Sequence, residues 1–147
     1  MSTNWIADIA EMQGKYGVHN WILSNPEKCA EFLRFRLEFL KEELQETESA
    51  IASKDPEEIV DGLIDLCVVA IGTLDAFNID SAKAWDDVLH ANMQKMIGVK
   101  PSRPNRLGVP DLVKPEGWVA PDHSGNHGLL PKIFDRDAYR QLELDLG

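Results

Sequence analysis

The chain has 147 residues, a hydrophobic content of 44% and a formal net charge of −10. This length favours one domain with an apolar core, and the negative charge argues against nonspecific nucleic-acid binding, which needs a basic surface. No apolar run approaches the roughly 18 residues of a membrane span, and the N-terminal sequence lacks the basic-then-apolar order of a signal peptide. We therefore expect a cytoplasmic protein with no nucleic-acid or membrane partner. A polyphosphate substrate stays compatible with the charge, because Mg²⁺ held by carboxylates screens both partners.

The first predicted helix covers residues 4–16. Its apolar side chains recur every three or four positions, as one face of an amphipathic helix requires, and Gly17 ends the segment. Residues 18–21 are predicted to form a connector. Two of its side chains, Asn20 and Trp21, either pack against the other helices or line a pocket.

A long second helix is predicted from Asn25 to about Ala52. Asn25 is suited to cap a helix N-terminus. Pro26 suits the first helical position, because a backbone N–H there would have no partner within the helix. The helix carries two apolar stripes, one of leucines (Leu33, Leu37, Leu40, Leu44) and one of phenylalanines (Phe32, Phe35, Phe39). Two stripes need contacts on two sides, so we expect this helix to be buried in an oligomer as well as in the subunit core.

An acidic segment opens the third predicted helix. Asp55 is a suitable N-cap, and Glu58 has the spacing of the return arm of a capping box. Capping does not account for Asp61 and Asp65, which continue the acidic stripe at helical spacing. From residue 66 to about residue 74 the helix is apolar on nearly every face. Such a helix belongs in the centre of a bundle or in a subunit interface.

A fourth helix is predicted from Asp80 to about Ile97. Its side chains expected to face inward are Trp85, Leu89, Met93 and Met96. From residue 98 to residue 132 six prolines and five glycines predict an irregular extension, a lid or an arm over a neighbouring subunit. Residues 135–146 are predicted to form a short closing helix. We assign residues 1–100 to a helical domain and residues 101–147 to a C-terminal extension of the same domain.

Two carboxylate clusters lie on the second and third predicted helices. They comprise Glu42, Glu43 and Glu46 on the second helix and Glu58, Asp61 and Asp65 on the third. A short loop makes these helices antiparallel neighbours, so the clusters are expected to face each other. Gly62 costs about 1 kcal/mol in a helix and is expected to allow close approach of another helix or of a ligand. Since Mg²⁺ and Mn²⁺ prefer oxygen ligands, the pattern predicts a metal site suited to phosphoanhydride cleavage. The competing interpretation is a solvated acidic face.

The two acidic motifs, Glu-Glu-x-x-Glu at residues 42–46 and Glu-x-x-Asp at residues 58–61, resemble the signature of MazG-like, all-α nucleoside triphosphate pyrophosphohydrolases. That superfamily also contains phosphoribosyl-ATP pyrophosphohydrolase and the dimeric dUTPases. The resemblance covers about residues 25–97. It implies an all-α, MazG-type bundle of four main helices per subunit, a homodimer or homotetramer, and cleavage between the α and β phosphates with Mg²⁺ or Mn²⁺.

The resemblance also implies roles for single residues. Matched to the family motif, the metal ligands are Glu43, Glu46, Glu58 and Asp61. Glu42 is the remaining motif acid, placed to orient water, and Asn92 and Lys95 are placed to meet the triphosphate. Asp65 lies outside the motif, and its role stays open. A nucleobase is expected to meet the Asn20 amide and the ring of Trp21 or Trp118.

The predicted function is therefore a metal-dependent pyrophosphohydrolase that converts a small-molecule (d)NTP to a (d)NMP and pyrophosphate. The segment from Asp111 to Trp118 resembles tails of phage-encoded members, some of which favour dGTP and GTP, so we expect this preference and a host-cytoplasmic location. One alternative is a dUTP or dCTP hydrolase or a broad housecleaning enzyme. The other, of a different class, is a non-catalytic helical oligomerisation or binding module.

Overall fold

The structure is a computed structural model that describes residues 4–102, 107–108 and 111–135. The described residues are mostly helical, which confirms the predicted all-α class. The helices are α1 (Trp5–Lys15), α2 (Val18–Ser24), α3 (Cys29–Ser53), α4 (Pro56–Ala76), α5 (Ser81–Met93) and α6 (Leu130–Phe134). A 3₁₀ turn (Pro26–Lys28) precedes α3, and two short strands, β1 (Met96–Gly98) and β2 (Asp111–Val113), pair antiparallel. No helix in the described part of the chain is long and apolar enough to cross a membrane.

The chain divides into two compact units. The first contains Met1–Ser81 with His127–Gly147, and the second contains Ala82–Asn126. The predicted closing helix at residues 135–146 falls outside the described residues from 136 onward.

The antiparallel pair of α3 and α4 is the main framework of the first unit. Lys54, in the left-handed conformation with φ 58°, ends α3. The Asp55 carboxylate then accepts the backbone N–H of Glu58 at 3.2 Å and caps α4. This confirms the predicted loop and the predicted cap, and it places the two acidic motifs on adjoining helices.

An apolar cluster fills the other end of the first unit. Its buried members come from α2, the start of α3, the end of α4 and α6, and they are Ile22, Cys29, Ala76, Phe77 and Ile133. The backbone N–H of Leu129 donates to the Phe77 carbonyl at 2.8 Å and anchors the segment that leads into α6. The core therefore joins chain segments that precede and follow the second unit in the sequence.

Two predictions, one about the connector and one about the start of the second predicted helix, were wrong. Residues 18–21 are the start of α2, because burial of Ile22 in the core compensates for the modest helix propensity of its neighbours. Gly17, at φ 72°, makes the turn between α1 and α2. Asn25 does not cap α3, since its side-chain amide donates to the Trp21 carbonyl at 2.9 Å.

The second unit also departs from prediction. The fourth helix ends at Met93, well before Ile97, and Ile97 lies in a strand instead. The backbone N–H groups of Gln94 and Lys95 make tight bonds three residues back, which ends the helix. The four side chains expected to face inward are exposed: Trp85, Leu89, Met93 and Met96. Ala91 is the buried apolar residue of α5.

Candidate functional site

Close packing of α3 against α4 brings the two acidic motifs together. Thr47 is buried on α3, and its hydroxyl donates to the Glu43 carbonyl at 2.8 Å. Gly62 is buried on α4 directly opposite, where an added Cβ would clash with the Thr47 hydroxyl and lie 3.3 Å from Thr47 Cβ. The expectation of close approach at Gly62 is confirmed, and the neighbour is another helix. This crossing lies one turn from Glu43 and beside Asp61.

A buried carboxyl lies at the centre of the acidic region. Glu43 is only 8% exposed. Burial raises the pKa of its carboxyl above the ordinary value and is the largest cause of the shift. Negative charges on both helices raise the pKa further, in decreasing order those of Asp65, Glu46, Asp61 and Glu42. The protein thus holds a buried acid against several like charges, an arrangement typical of functional sites.

The donor chemistry of this region fits a hard divalent cation. Its side chains offer carboxylate oxygens, and besides burial four neighbouring carboxylates raise the pKa of Glu43. Among the described residues, however, no three acidic, histidine or cysteine side chains lie close enough together to hold one ion. The region therefore supplies the ligand type and the negative potential, while the side chains do not converge on a single point.

Glu58 lies apart from the carboxylates that act on Glu43. It is exposed in the first turn of α4, one turn before Asp61. The reciprocal bond of a capping box is not its role, because the backbone N–H of Asp55 donates to the Ala50 carbonyl at 2.9 Å. Its carboxylate therefore stays on the surface at the loop end of the acidic region.

Asp65 is the residue that sequence reasoning left unassigned. It is half-buried on α4, and among the neighbouring charges its carboxylate has the largest effect on Glu43. Its spacing of one turn from Asp61 was the available signal. The structure places Asp65 within the acidic region, where its charge raises the pKa of Glu43 more than the charges of the motif acids do.

Arg36 is a second residue that sequence reasoning missed. Its guanidinium donates at 3.0 Å to both the Val69 carbonyl and the Thr73 hydroxyl. It also lies 5.9 Å from the ring centres of Phe32 and Phe39. Burial lowers the pKa of this guanidinium. Arg36 is two turns before Glu43 on the same side of α3, and its bonds fix how far α3 is shifted along α4.

Asn20 belongs to the same unit as the acidic region. It is exposed on α2. The preceding residue, His19, pairs with Asp75 through Nε2 at 2.7 Å and ties α2 to the end of α4. The helix that carries Asn20 is therefore held in place by a polar contact as well as by the core.

The remaining predicted substrate residues lie in the second unit. Asn92 is exposed at the end of α5, and its carbonyl accepts the backbone N–H of Lys95 at 3.0 Å. Trp118 donates its indole N–H to the Ala91 carbonyl at 2.7 Å. The Nζ atoms of Lys95 and Lys114 lie 5.4 Å and 4.7 Å from its ring centre, which is cation–π range. The structure thus brings Lys95 and Trp118 together, with Asn92 one turn away.

Comparison with protein families places this region in a known class. Residues 20–92 match the model of a family described as phosphoribosyl-ATP pyrophosphohydrolase. The match covers just under half of the chain and contains α3, α4 and both acidic motifs. No match was found among curated proteins or among solved structures. The matched segment is similar to the domain of this family, which indicates a hydrolase of the pyrophosphohydrolase class and agrees with the resemblance drawn from the motifs.

Proposed function

We propose that the protein is a metal-dependent nucleoside triphosphate pyrophosphohydrolase that cleaves a (d)NTP to the (d)NMP and pyrophosphate. The observation that carries the proposal is the buried Glu43, crowded by carboxylates of two helices inside the segment that matches the family. Carboxylates held this closely without a cation lose stability to mutual repulsion. A binding role for the region accounts for that loss.

Each acidic side chain has a proposed task. Glu43, Glu46, Glu58 and Asp61 would hold Mg²⁺ or Mn²⁺. A bound ion of this kind neutralises phosphate charge and lowers the pKa of an attacking water. Glu42 would orient the attacking water and would take its proton. Asp65, absent from the motif, is proposed to add to the negative potential that attracts the cation, since its charge acts on Glu43 in the same region.

The other predicted residues are proposed to bind the substrate. Lys95 and Asn92 would meet the triphosphate, one with a positive charge and the other with an amide donor. Asn20 would read a base edge, and Trp118 would stack on the base. A preference for dGTP and GTP, as in some phage-encoded relatives, remains part of the proposal, with dUTP, dCTP or broad housecleaning activity as alternatives.

The test is a product assay on the purified full-length chain with Mg²⁺ or Mn²⁺. The substrates are all common NTPs and dNTPs together with phosphoribosyl-ATP, which the description of the matched family names. We expect pyrophosphate as the product, and we expect Glu46→Gln and Asp61→Asn each to abolish its release. Glu48→Gln is the matched control, because Glu48 is an exposed acid of the same helix.

Two results would refute this mechanism: orthophosphate as the product, or full activity in both variants. A thermal-shift screen separates the enzyme from a non-catalytic oligomerisation module. Ligand at about 100 times its Kd stabilises a protein by about 2.7 kcal/mol. The enzyme is expected to show that rise with Mn²⁺ and its nucleotide, whereas a module with merely solvated acids gives no shift with any nucleotide.

A further inference from the structure

Two lysines meet at one end of the two-stranded ribbon in the second unit. Strands β1 and β2 pair in a register that places Met96 opposite Val113. Continued by one residue, the same register places Lys95 opposite Lys114. Side chains at opposed positions of an antiparallel pair have Cβ atoms about 5 Å apart, and like charges at such positions are destabilising. The ribbon therefore holds two positive charges together at a cost in stability.

A single aromatic ring fixes where the two lysine side chains end. The Nζ atom of Lys114 lies over the Trp118 ring, 4.7 Å from its centre, and the Nζ atom of Lys95 lies over it at 5.4 Å. Both distances are in cation–π range. The two ammonium groups thus converge on one ring as well as on one end of the ribbon.

The Trp118 ring is held from two directions. Its indole N–H donates to the carbonyl of Ala91, a buried residue of α5, at 2.7 Å. Its backbone N–H donates to the Pro115 carbonyl at 3.1 Å and closes a turn. Gly117, at φ 74°, has the positive φ that the third position of a type II turn requires. The ring is therefore a fixed platform, and it sets the place of both cations.

Neither ammonium group has an acidic partner in the described part of the chain. The protein has 25 acidic and 15 basic residues, so a carboxylate partner would be easy to supply. Glu116, the nearest acid along the chain from Lys114, is exposed and pairs with neither lysine. Two cations without an acidic partner, on a protein that is otherwise strongly negative, form a local site of attraction for an anion.

We propose that Lys114 binds phosphate together with Lys95, so that the two lysines hold one polyphosphate anion beside Trp118. Lysine binds phosphate as a point charge, and a polyphosphate chain has enough charged oxygens to meet two ammonium groups at once. Lys114 lies beyond residue 92, where the family match ends, and neither acidic motif assigns it a role. The anion is either a free polyphosphate or the triphosphate of a nucleotide; the nucleotide as its source rests on the proposed function, whereas the site itself does not.

Isothermal titration calorimetry of the full chain with tripolyphosphate and with dGTP tests this site. The titrations are made in EDTA, which prevents turnover and removes any cation that could bridge phosphate to the acidic region. We expect one anion per chain and a Kd raised about fivefold or more in Lys114→Met and in Lys95→Met, since each loses a charged contact. Lys114→Arg keeps the charge and should stay within about threefold of the wild type.

Lys15→Met is the matched control. The Nζ atom of Lys15 also lies over an aromatic ring, that of Tyr16, at 5.3 Å from its centre, and this variant should leave the Kd for both anions unchanged. Measurement of Tm separates anion binding from a merely structural role of Lys114. Because like charges oppose each other here, Lys114→Met should not lower Tm in the absence of anion. A lower Tm with an unchanged Kd would show that Lys114 only packs on Trp118, and it would overturn the proposal.

Other outcomes decide the site and the source of the anion. A wild type that binds neither anion at millimolar concentrations, but hydrolyses a (d)NTP with Mg²⁺ or Mn²⁺, would overturn the site and leave the proposed function standing. Anion binding that depends on Lys114, without pyrophosphate release from any (d)NTP, would support the site and refute the proposed function. Tighter binding of dGTP than of tripolyphosphate would support the site with a nucleotide as its ligand, and equal binding would support it with the polyphosphate chain alone.

Discussion

The replacement Gly62→Ala probes the helix crossing beside the acidic region. In an open helix position Gly→Ala adds about 1 kcal/mol of stability through helix propensity. At Gly62 the new methyl group would clash with the Thr47 hydroxyl. Relief requires either that α3 and α4 separate or that the hydroxyl rotates and loses its 2.8 Å bond to the Glu43 carbonyl.

The two effects have opposite signs, and their sizes decide the outcome. Overpacking costs about 1–3 kcal/mol, and a lost hydrogen bond costs about 1 kcal/mol. After the gain in propensity, Gly62→Ala should lower the free energy of unfolding by about 1 kcal/mol. Gly14→Ala is the matched control, because nothing lies within 4 Å of a Cβ added at that position in α1. It should raise the free energy of unfolding by about 1 kcal/mol, a difference of about 2 kcal/mol between the variants.

Urea unfolding followed by circular dichroism measures both changes. A double-mutant cycle with Thr47→Ala should show a coupling of about 1–2 kcal/mol, since removing the hydroxyl leaves room for the methyl group. Equal stabilisation by Gly62→Ala and Gly14→Ala would show that the helices are not packed as closely as described. A coupling near zero would place the strain somewhere other than Thr47.

Two further predictions concern a buried charge and a buried hydrogen bond. The folded-state pKa of Glu43 is raised, so its protonated form favours folding, and wild-type stability falls as pH rises through that pKa. In EDTA, Glu43→Gln should therefore raise Tm by a few degrees at pH 8, and this gain should vanish near pH 4. The control Glu48→Gln, at an exposed position, should show no such pH dependence. A gain in Tm at Glu43 that does not depend on pH would contradict the charge argument. Trp118→Phe keeps an aromatic ring but loses the hydrogen bond to the Ala91 carbonyl. It should lower the free energy of unfolding, measured in urea, by about 1 kcal/mol, whereas Trp85→Phe at an exposed position should change it little. Equal losses in the two variants would show that the hydrogen bond contributes nothing.

Local signals in the sequence predicted the framework of the first unit well. The Asp55 cap with its following proline and the long apolar periodicities defined the α3–α4 pair, because caps and stripes act within a few residues. The sequence failed where distant contacts decide the structure. Residues 18–21 became helix through core packing, and Asn25 found a partner in Trp21 instead of capping α3.

In the candidate site, too, local spacing was predictable from the sequence and distant contacts were not. The motif acids could be recognised from their spacing, but that spacing could not reveal which carboxyl is buried or that Asp65 acts on Glu43 most strongly. Arg36 was not singled out, because in the sequence it is one charged residue between apolar neighbours. Its role depends on carbonyl and hydroxyl groups of α4 that lie more than 30 positions away, and helical spacing carries no such information.

The turn at Lys54 has a consequence for the order in which contacts close. Thr47 and Gly62, which meet beside the acidic region, are only about 15 residues apart along the chain, whereas Cys29 and Ile133 in the apolar cluster are about 100 residues apart. The entropy of closing a loop grows with the logarithm of its length, so the shorter closure costs about 2 kcal/mol less. Loop entropy therefore favours early closure of the acidic end of the α3–α4 pair during folding, before the apolar cluster at the other end is complete.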